Sequence, residues 1–440
     1  MTARKERIGV GIIGFGTVGT GVAKVLIDNA AVIRRRVGVP VDVVRIADLD
    51  VTRDRGVTLA PGVLVADSRA VLDDPAVDIV VELIGGYDAA KRVMLEAIAK
   101  GKQVVTANKA LLAVHGEEIF EAATRRGVDL GYEASVGGGI PIIRALTEGL
   151  AANRVLSIYG IINGTSNYIL TQMTQENRTF ADVLQDATRK GYAEADPTFD
   201  VEGIDSAHKL AIMVNLAYGT PVNVKDISTE GITKLTPVDF AYAKEFGYAI
   251  KLLGIAKMSD GEVEARVHPT MIPVNSPMAQ VNGVYNAIQV VGDAVGDVML
   301  YGRGAGSMPT GSAVASDVLA IARNLITGGT GRVPLASFQQ GERRPMRVRP
   351  MADIQSLYYL RFMVVDQPGV LAQIAGVLGT QGISISTMLQ QGRKDGQTVP
   401  VVIRTHQATE RAVQDALREI NRMPFVSEPT TLIRVEGPDE

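Results

Sequence analysis

Residues Ile8–Gly19 read I-G-V-G-I-I-G-F-G-T-V-G. The run Ile8 to Ile13 has the length and apolar continuity of a strand buried on both faces. Gly14-Phe15-Gly16-Thr17-Val18-Gly19 follows as G-x-G-x-x-G and opens a helical stretch, Thr20 to Arg36, with apolar residues at Val22, Val25, Leu26 and Ala30. A second strand, Val41 to Ala47, comes next. The glycines alone would mark no more than a turn. Strand, glycines, helix and strand in this order predict a dinucleotide site, where backbone approaches a pyrophosphate whose charge rests on a helix N-terminus.

Outward from that motif, Asp48 closes the second strand where a carboxylate commonly meets the ribose 2′-hydroxyl. Its plain alternative is a turn residue. Arg45, Arg53 and Arg55 stand nearby as candidates for a 2′-phosphate, so both NAD and NADP suit the pattern. Strands are predicted at Asp78–Leu83, Gln103–Thr106 and Val128–Glu133, with helices at Ala89–Lys100 and Gly116–Arg126. This βαβα alternation specifies a parallel sheet covered by helices on both faces, with ligands beyond the carboxyl ends of the strands. Gly85, Gly86 and Thr106-Ala107-Asn108-Lys109 fall at that edge, and Lys109 is a candidate for the chemistry. In Gly131–Pro141, Gly137, Gly138 and Gly139 precede a proline, which reads first as a hinge and second as a loop aiming carbonyls at a cation.

A second organising stretch is Lys190–Lys209, K-G-Y-A-E-A-D-P-T-F-D-V-E-G-I-D-S-A-H-K. Glu194, Asp196, Asp200, Glu202 and Asp205 crowd into it, and the spacing of Ile204, Ala207, Leu210, Ala211 and Val214 predicts a helix. Acids at a helix start are commonly no more than solvated partners of the helix dipole. The apolar residues downstream bury this helix, however, and a lysine on it would be partly desolvated, which eases loss of its proton. Asp205 and Lys209, four apart, share a face, so Lys209 is a candidate acid/base.

The length of 440 residues implies roughly two to four domains. With 45 basic and 48 acidic side chains and a net charge of −3, no field for nucleic acid or an anionic membrane is expected. No apolar run reaches the ~20 residues of a membrane span, and Met1–Arg7 carries no signal-peptide core, so a cytoplasmic protein is expected. Cysteine is absent, which excludes disulfides, thiolate zinc sites and a thiolate nucleophile, and the four histidines have no ligand spacing.

Domains are expected at 1–150 (Rossmann-like), 151–327 (α+β, with a sheet suited to a subunit interface), a linker at 328–350, and 351–440. The second contains the polar loop Asn163-Gly164-Thr165-Ser166-Asn167, and its last helix, near 306–326 and rich in Ala and Ser, is expected to fold back on the first domain and approach the cofactor. The last has strand, helix, strand, strand, helix, strand in the βαββαβ ferredoxin-like plan. Its Asp366-Gln367-Pro368-Gly369-Val370-Leu371 turn offers helix N–H groups to a small carboxylate.

Three stretches together, Gly191–Lys209, Ile161–Leu170 (I-I-N-G-T-S-N-Y-I-L) and Thr106–Lys109 (T-A-N-K), make the chain resemble homoserine dehydrogenase with a C-terminal ACT domain, over nearly its whole length. The resemblance implies reversible, NAD(P)-dependent interconversion of L-homoserine and L-aspartate 4-semialdehyde by a homodimer or homotetramer. It implies Lys209 as proton donor with Lys109 beside nicotinamide and substrate, and substrate contacts from Glu194, Asp205, Asp200, Asn163, Gly164 and Thr165. It implies a monovalent cation, Na+, on main-chain oxygens of Glu133, Val136, Gly138 and Ile140. It also implies an amino-acid effector, L-threonine, at Asp366, Gly369, Val370 and Leu371. Two competing readings are a divalent-metal hydro-lyase or kinase-like site at Glu194, Asp196 and Asp200, and a metabolite sensor without catalysis.

Overall fold

The computed structural model describes residues 5–390 and 397–437. The chain forms two compact units. The first comprises 1–164, 205–227 and 284–346, and the second 165–204, 228–283 and 347–440.

In the first unit, β1 (Ile8–Ile13), β2 (Val41–Ala47), β3 (Leu64–Val65), β4 (Ile79–Glu82), β5 (Gln103–Thr106) and β6 (Leu130–Gly131) form one parallel sheet in the order β3-β2-β1-β4-β5-β6. The order reverses beside β1, so the glycine loop lies where two neighbouring crossovers diverge. Every residue of β1, β4 and β5 is buried, as continuous apolar runs in a covered parallel sheet require.

The helix expected over Thr20–Arg36 is two helices, Thr17–Asp28 and Ala30–Val37, broken at Asn29. The strand expected at Val128–Glu133 is only Leu130–Gly131, because Glu133–Ser135 coils into a 3₁₀ turn anchored by the Glu133 N–H on Asp317 Oδ2 at 2.8 Å. A Cβ on Gly131 would fall 2.6 Å from that of Asp317, so only glycine admits this approach.

Helix Ser307–Thr327 packs along helix Thr17–Asp28. A Cβ on Gly21 would lie 2.1 Å from the Ser307 carbonyl oxygen, and one on Gly311 would lie 2.6 Å from the Gly21 carbonyl carbon. The small residues expected to admit a cofactor therefore admit a neighbouring helix. Val314, Val318, Ile321 and Ala322 complete one core with Ile8, Val10, Val22 and Leu26.

The glycines expected as an inter-domain hinge make a buried turn inside the first unit. Gly137 and Gly138 adopt φ +71° and +55°, and a Cβ on Gly138 would meet the Gly304 oxygen at 2.4 Å. Nearby, the Glu133 carboxylate accepts the N–H groups of Ile143 and Arg144 at 2.8 and 3.0 Å, and Asp317 pairs with Arg144 at 2.9 Å. Strands Val155–Ile161, Tyr285–Gly292 and Gly296–Arg303 pair antiparallel in this unit.

The second unit contains the hairpin Tyr248–Ser259 and Glu262–Pro273, turned at Asp260-Gly261 with φ +55° and +77°, the signs a tight hairpin turn needs. Its C-terminal part is the expected βαββαβ plan, with strands in the order Val426–Val435, Gln355–Val365, Thr398–Thr405, Ile385–Gln390 and helices Val370–Thr380 and Glu410–Ile420. The last strand also pairs in parallel with the hairpin at Thr270↔Arg434 and Met271↔Val435. Buried guanidiniums line this seam: Arg266 bonds Glu436 at 2.6 Å and Arg434 bonds Glu410 at 2.6 Å.

Burial pushes the Glu133 carboxyl up to about 7 from 4.5, with Asp317 adding to the rise. Such a group holds its proton to higher pH in the folded than in the unfolded chain, so stability falls as pH climbs from 4.5 to about 7. Glu133→Gln should flatten that fall, read as urea midpoints across the interval; an unaltered slope would assign the pH response to other groups.

Candidate active site

The carboxyl edge of the sheet is built by a hydrogen-bonded relay. Glu82, the last residue of β4, is fully buried; Oε1 accepts the Ile84 N–H at 2.7 Å and Oε2 accepts the Thr106 hydroxyl at 2.7 Å. Thr106 Oγ1 in turn accepts the Asn108 N–H at 3.0 Å. Asn108 Nδ2 donates to the Gly86 oxygen at 2.7 Å, and its Oδ1 caps the next helix by accepting the Leu111 N–H at 3.1 Å. Helix Lys109–Arg126 therefore starts at Lys109, seven residues before the expected Gly116. Burial raises the Glu82 carboxyl above its ordinary value, opposed by these donors.

Helix Ile204–Tyr218 brings the second half of the site. Twelve of its fifteen residues are buried, which is why its polar members are held by specific partners. Asp205 lies in the first turn, where the helix dipole favours negative charge. Its Oδ2 accepts from Lys209 Nζ at 2.6 Å and from Asn163 Nδ2 at 2.9 Å, while its Oδ1 lies 3.0 Å from Lys109 Nζ. Lys209 also donates to the Ile162 carbonyl oxygen at 2.6 Å. One carboxylate thus joins two ammonium groups, one from each half of the sequence motif set.

Burial by itself would raise the Asp205 carboxyl, but the Lys209 and Lys109 charges, with the hydrogen bonds of Lys209 and Asn163, outweigh it and hold it well below the usual carboxylate range. Lys209 and Asp205 are 9 % and 3 % exposed, and the Lys109 side chain is 35 % exposed, so the deeper ammonium is fixed and the outer one faces a more open edge. Burial also lowers the neighbouring His208, with Asp205 opposing, so that imidazole is neutral at pH 7.

At the glycine loop, Gly14 takes φ +103° and a Cβ there would strike the Leu83 oxygen at 2.5 Å, while a Cβ on Gly19 would strike the Gly14 oxygen at 2.1 Å. Gly16 caps helix Thr17–Asp28 without any side-chain bond, and nothing lies within 4 Å of where its Cβ would be. The first-turn N–H groups at Thr17, Val18 and Gly19 therefore suit a pyrophosphate. Asp48 is directed here, but both of its oxygens already accept hydrogen bonds, Oδ2 from the Phe15 N–H at 2.6 Å and Oδ1 from the Asp50 N–H at 2.9 Å. Arg45 is occupied by the Gly62 oxygen at 2.8 Å and Asp74 at 3.1 Å, so the guanidinium against the glycine loop is that of Arg55. Gly85 and Gly86, both at positive φ, lie on the Glu82 relay.

Gly164 adjoins Asn163 in the first unit, whereas Thr165, Glu194 and Asp200 belong to the second. There Thr165 donates to the Tyr192 oxygen at 2.7 Å, the Asp200 oxygen accepts from Ser166 at 2.9 Å, and Glu194 is exposed. Asp196 accepts the Thr198 N–H at 3.1 Å as an ordinary turn cap. Among the described residues no group of three His, Asp or Glu side chains is arranged to hold a metal ion, so these acids form no divalent cage. The turn Asp366, Gly369, Val370 and Leu371 lines a cavity of about 260 Å³ in the second unit.

The family model described as Homoserine dehydrogenase, NAD binding domain matches residues 14–133, that for Homoserine dehydrogenase matches 141–319, and that for the ACT domain matches 358–422. A homoserine dehydrogenase of Neisseria gonorrhoeae is 46 % identical over 98 % of this chain and 99 % of its own length. The chain belongs to the homoserine dehydrogenase family. It is an NAD(P)-dependent oxidoreductase with a C-terminal ACT domain. A homoserine dehydrogenase of Pseudomonas aeruginosa is 47 % identical over 97 % of the chain and 98 % of its own length. The crystal structure of a homoserine dehydrogenase from Thiobacillus denitrificans has a TM-score of 0.92 at 47 % identity, over 98 % of each chain. A hyperthermophilic archaeal homoserine dehydrogenase in complex with NADPH has a TM-score of 0.61 at 26 % identity, over 72 % of this chain and 97 % of that one.

Two buried polar residues carried no motif that would single them out: Glu82 and Asn286. Glu82 was legible only as an acid ending an apolar run. Asn286 is 1 % exposed, and a Cβ on Gly304 would fall 1.9 Å from its Oδ1, which explains the glycine.

Removing the shared carboxylate leaves two ammonium groups facing each other, one of them buried. Asp205→Ala should cost about 3 kcal/mol of stability, on the scale of a buried pair that loses one member. The double variant Asp205→Ala/Lys209→Met should recover much of it. Thermal melts of the two variants that coincide would show that the pair is not coupled.

Proposed function

We propose that the chain reduces L-aspartate 4-semialdehyde to L-homoserine, and runs the reverse reaction, with Lys209 as the proton donor. The observation that carries this is the arrangement in which Asp205 holds Lys209 and Lys109 within hydrogen-bond reach of one carboxylate. When bound at the glycine loop, NAD(P)H supplies the hydride to the aldehyde carbon. Lys209, oriented by Asp205 and the Ile162 carbonyl, gives its proton to the carbonyl oxygen as negative charge develops there. Lys109 adds a second positive charge that stabilises that oxygen. In the reverse direction the amine of Lys209 receives the hydroxyl proton, and Asp205 stabilises the ammonium that forms. Asn163, bonded to Asp205, and Gly164 begin the loop that orients the substrate.

A monovalent cation would be held by main-chain oxygens of Glu133, Val136, Gly138 and Ile140. Supporting this, the Gly137-Gly138 turn reverses the backbone among them, and the Glu133 carboxylate is committed to backbone donors instead. The assembly is a dimer or tetramer, and the exposed Tyr301 and Leu156 in the antiparallel sheet of the first unit suit a subunit contact.

Lys209→Ala should lower kcat by roughly 10²-fold or more, the usual scale of acid/base catalysis, while the dissociation constant for NADPH stays unchanged. Turnover at the parental rate would end the assignment.

The ACT domain receives L-threonine as inhibitor in the cavity at Asp366–Leu371. Gly369, at φ +90°, starts helix Val370–Thr380 without a side-chain cap, leaving N–H groups for the ligand carboxylate, and Asp366 suits its ammonium. Asp366→Ala should abolish inhibition by threonine with the uninhibited rate preserved; equal inhibition of both proteins would place the effector elsewhere.

A further inference from the structure

The loop after β2 folds a charge pair onto the glycine turn. Besides its bonds to the Phe15 and Asp50 N–H groups, Asp48 Oδ1 accepts from Arg55 Nη2 at 3.1 Å. Arg55 also donates from Nε to the Phe15 oxygen at 2.6 Å, from Nη2 to the Asp50 oxygen at 2.7 Å, and from Nη1 to the Arg53 oxygen at 2.9 Å. Its guanidinium lies 5.0 Å from the Phe15 ring centroid, and the side chain is only 8 % exposed. The guanidinium is therefore fixed by a fork of acceptors from three backbone carbonyls and one carboxylate, a geometry that lysine does not reproduce.

A carboxylate in this position of a dinucleotide fold accepts the ribose 2′-hydroxyl and, left unpaired, repels a phosphate placed there. Here its charge is matched by an opposite one on the same loop. The remaining field is that of a dipole, which falls off faster with distance than that of a single charge. Arg45 does not contribute, since Asp74 and the Gly62 oxygen hold it. Arg53 is exposed two residues away.

We propose that Arg55 determines cofactor specificity: by pairing with Asp48 it cancels the charge that would exclude a 2′-phosphate, so the site accepts NADP alongside NAD. Arg55 is a positioning residue that acts through Asp48 and never touches the reacting atoms. This inference rests on the glycine loop being the dinucleotide site and is independent of the roles given to Lys209 and Lys109.

The test is equilibrium binding of NADPH and NADH to the full chain without substrate, followed by nicotinamide fluorescence, with 2′,5′-ADP and 5′-ADP as displacing ligands. Arg55→Gln should weaken NADPH and 2′,5′-ADP roughly tenfold, the scale of one unit charge at close range in a partly wet site, with NADH within about threefold of the parent. Asp48→Asn should move the NADPH to NADH ratio the opposite way. Equal weakening of both cofactors in Arg55→Gln would reduce Arg55 to a scaffold for the loop and overturn the proposal, as would an unchanged ratio. Melting temperatures identify a misfolded variant. If Arg55→Gln does not fold, Asp48→Asn decides: an NADPH to NADH ratio unchanged from the parent, or moved toward NADH, would overturn charge cancellation. Failure of every protein, parent included, to bind either cofactor would instead discard the dinucleotide site itself.

Discussion

A single buried carboxylate between two ammonium groups is the constraint around which the first unit is arranged. Burying Asp205 and Lys209 is costly for each charge alone, and tolerable only when every partner, the more exposed Lys109 included, is in place. The trio thus demands that the first turns of the helices beginning at Ile204 and at Lys109 meet within side-chain reach of each other. The net positive charge it leaves is what an oxygen gaining electrons requires. Function and fold make the same demand on these residues, since the contacts that neutralise Asp205 are also those that orient Lys209.

The relay from Glu82 through Thr106 to Asn108 supplies the precision on one side. Each member satisfies another's hydrogen bonds, from the buried Glu82 and Thr106 out to Asn108, so the start of the Lys109 helix is set to the residue. A catalytic group on the first turn of a helix inherits the rigidity of that helix and of the sheet behind it.

Much of this was legible in the residues because it is local. The turn of glycines between two apolar runs, the four-residue spacing of Asp205 and Lys209, and the βαββαβ rhythm after residue 351 are all short-range patterns, and they appear in the structure within a few residues of their expected limits. What escaped was long-range. Nothing near Gly131 announces Asp317, and nothing near Gly304 announces Asn286. Asn29 breaks the first helix without a proline or glycine to announce it, and the polar cap at Asn108 outweighed the weak helical periodicity that put the start near Gly116. The glycine triplet read as a hinge for the same reason: conformational freedom is visible in a sequence, whereas the neighbour that fills the space is not.

The return of helix Ser307–Thr327 to the glycine-loop helix bears on biosynthesis. The core of the nucleotide-binding part includes Val314, Val318, Ile321 and Ala322, some three hundred residues downstream of the strand they cover. A nascent chain leaving the ribosome can pair β1 through β6 early, but it cannot shield the outer face of the Gly21 helix until nearly three quarters of the polypeptide has been made. The dinucleotide domain is thus contiguous in pattern yet discontinuous in folding, and a fragment cut after its last parallel strand would emerge with an apolar stripe exposed to aggregation or chaperone capture.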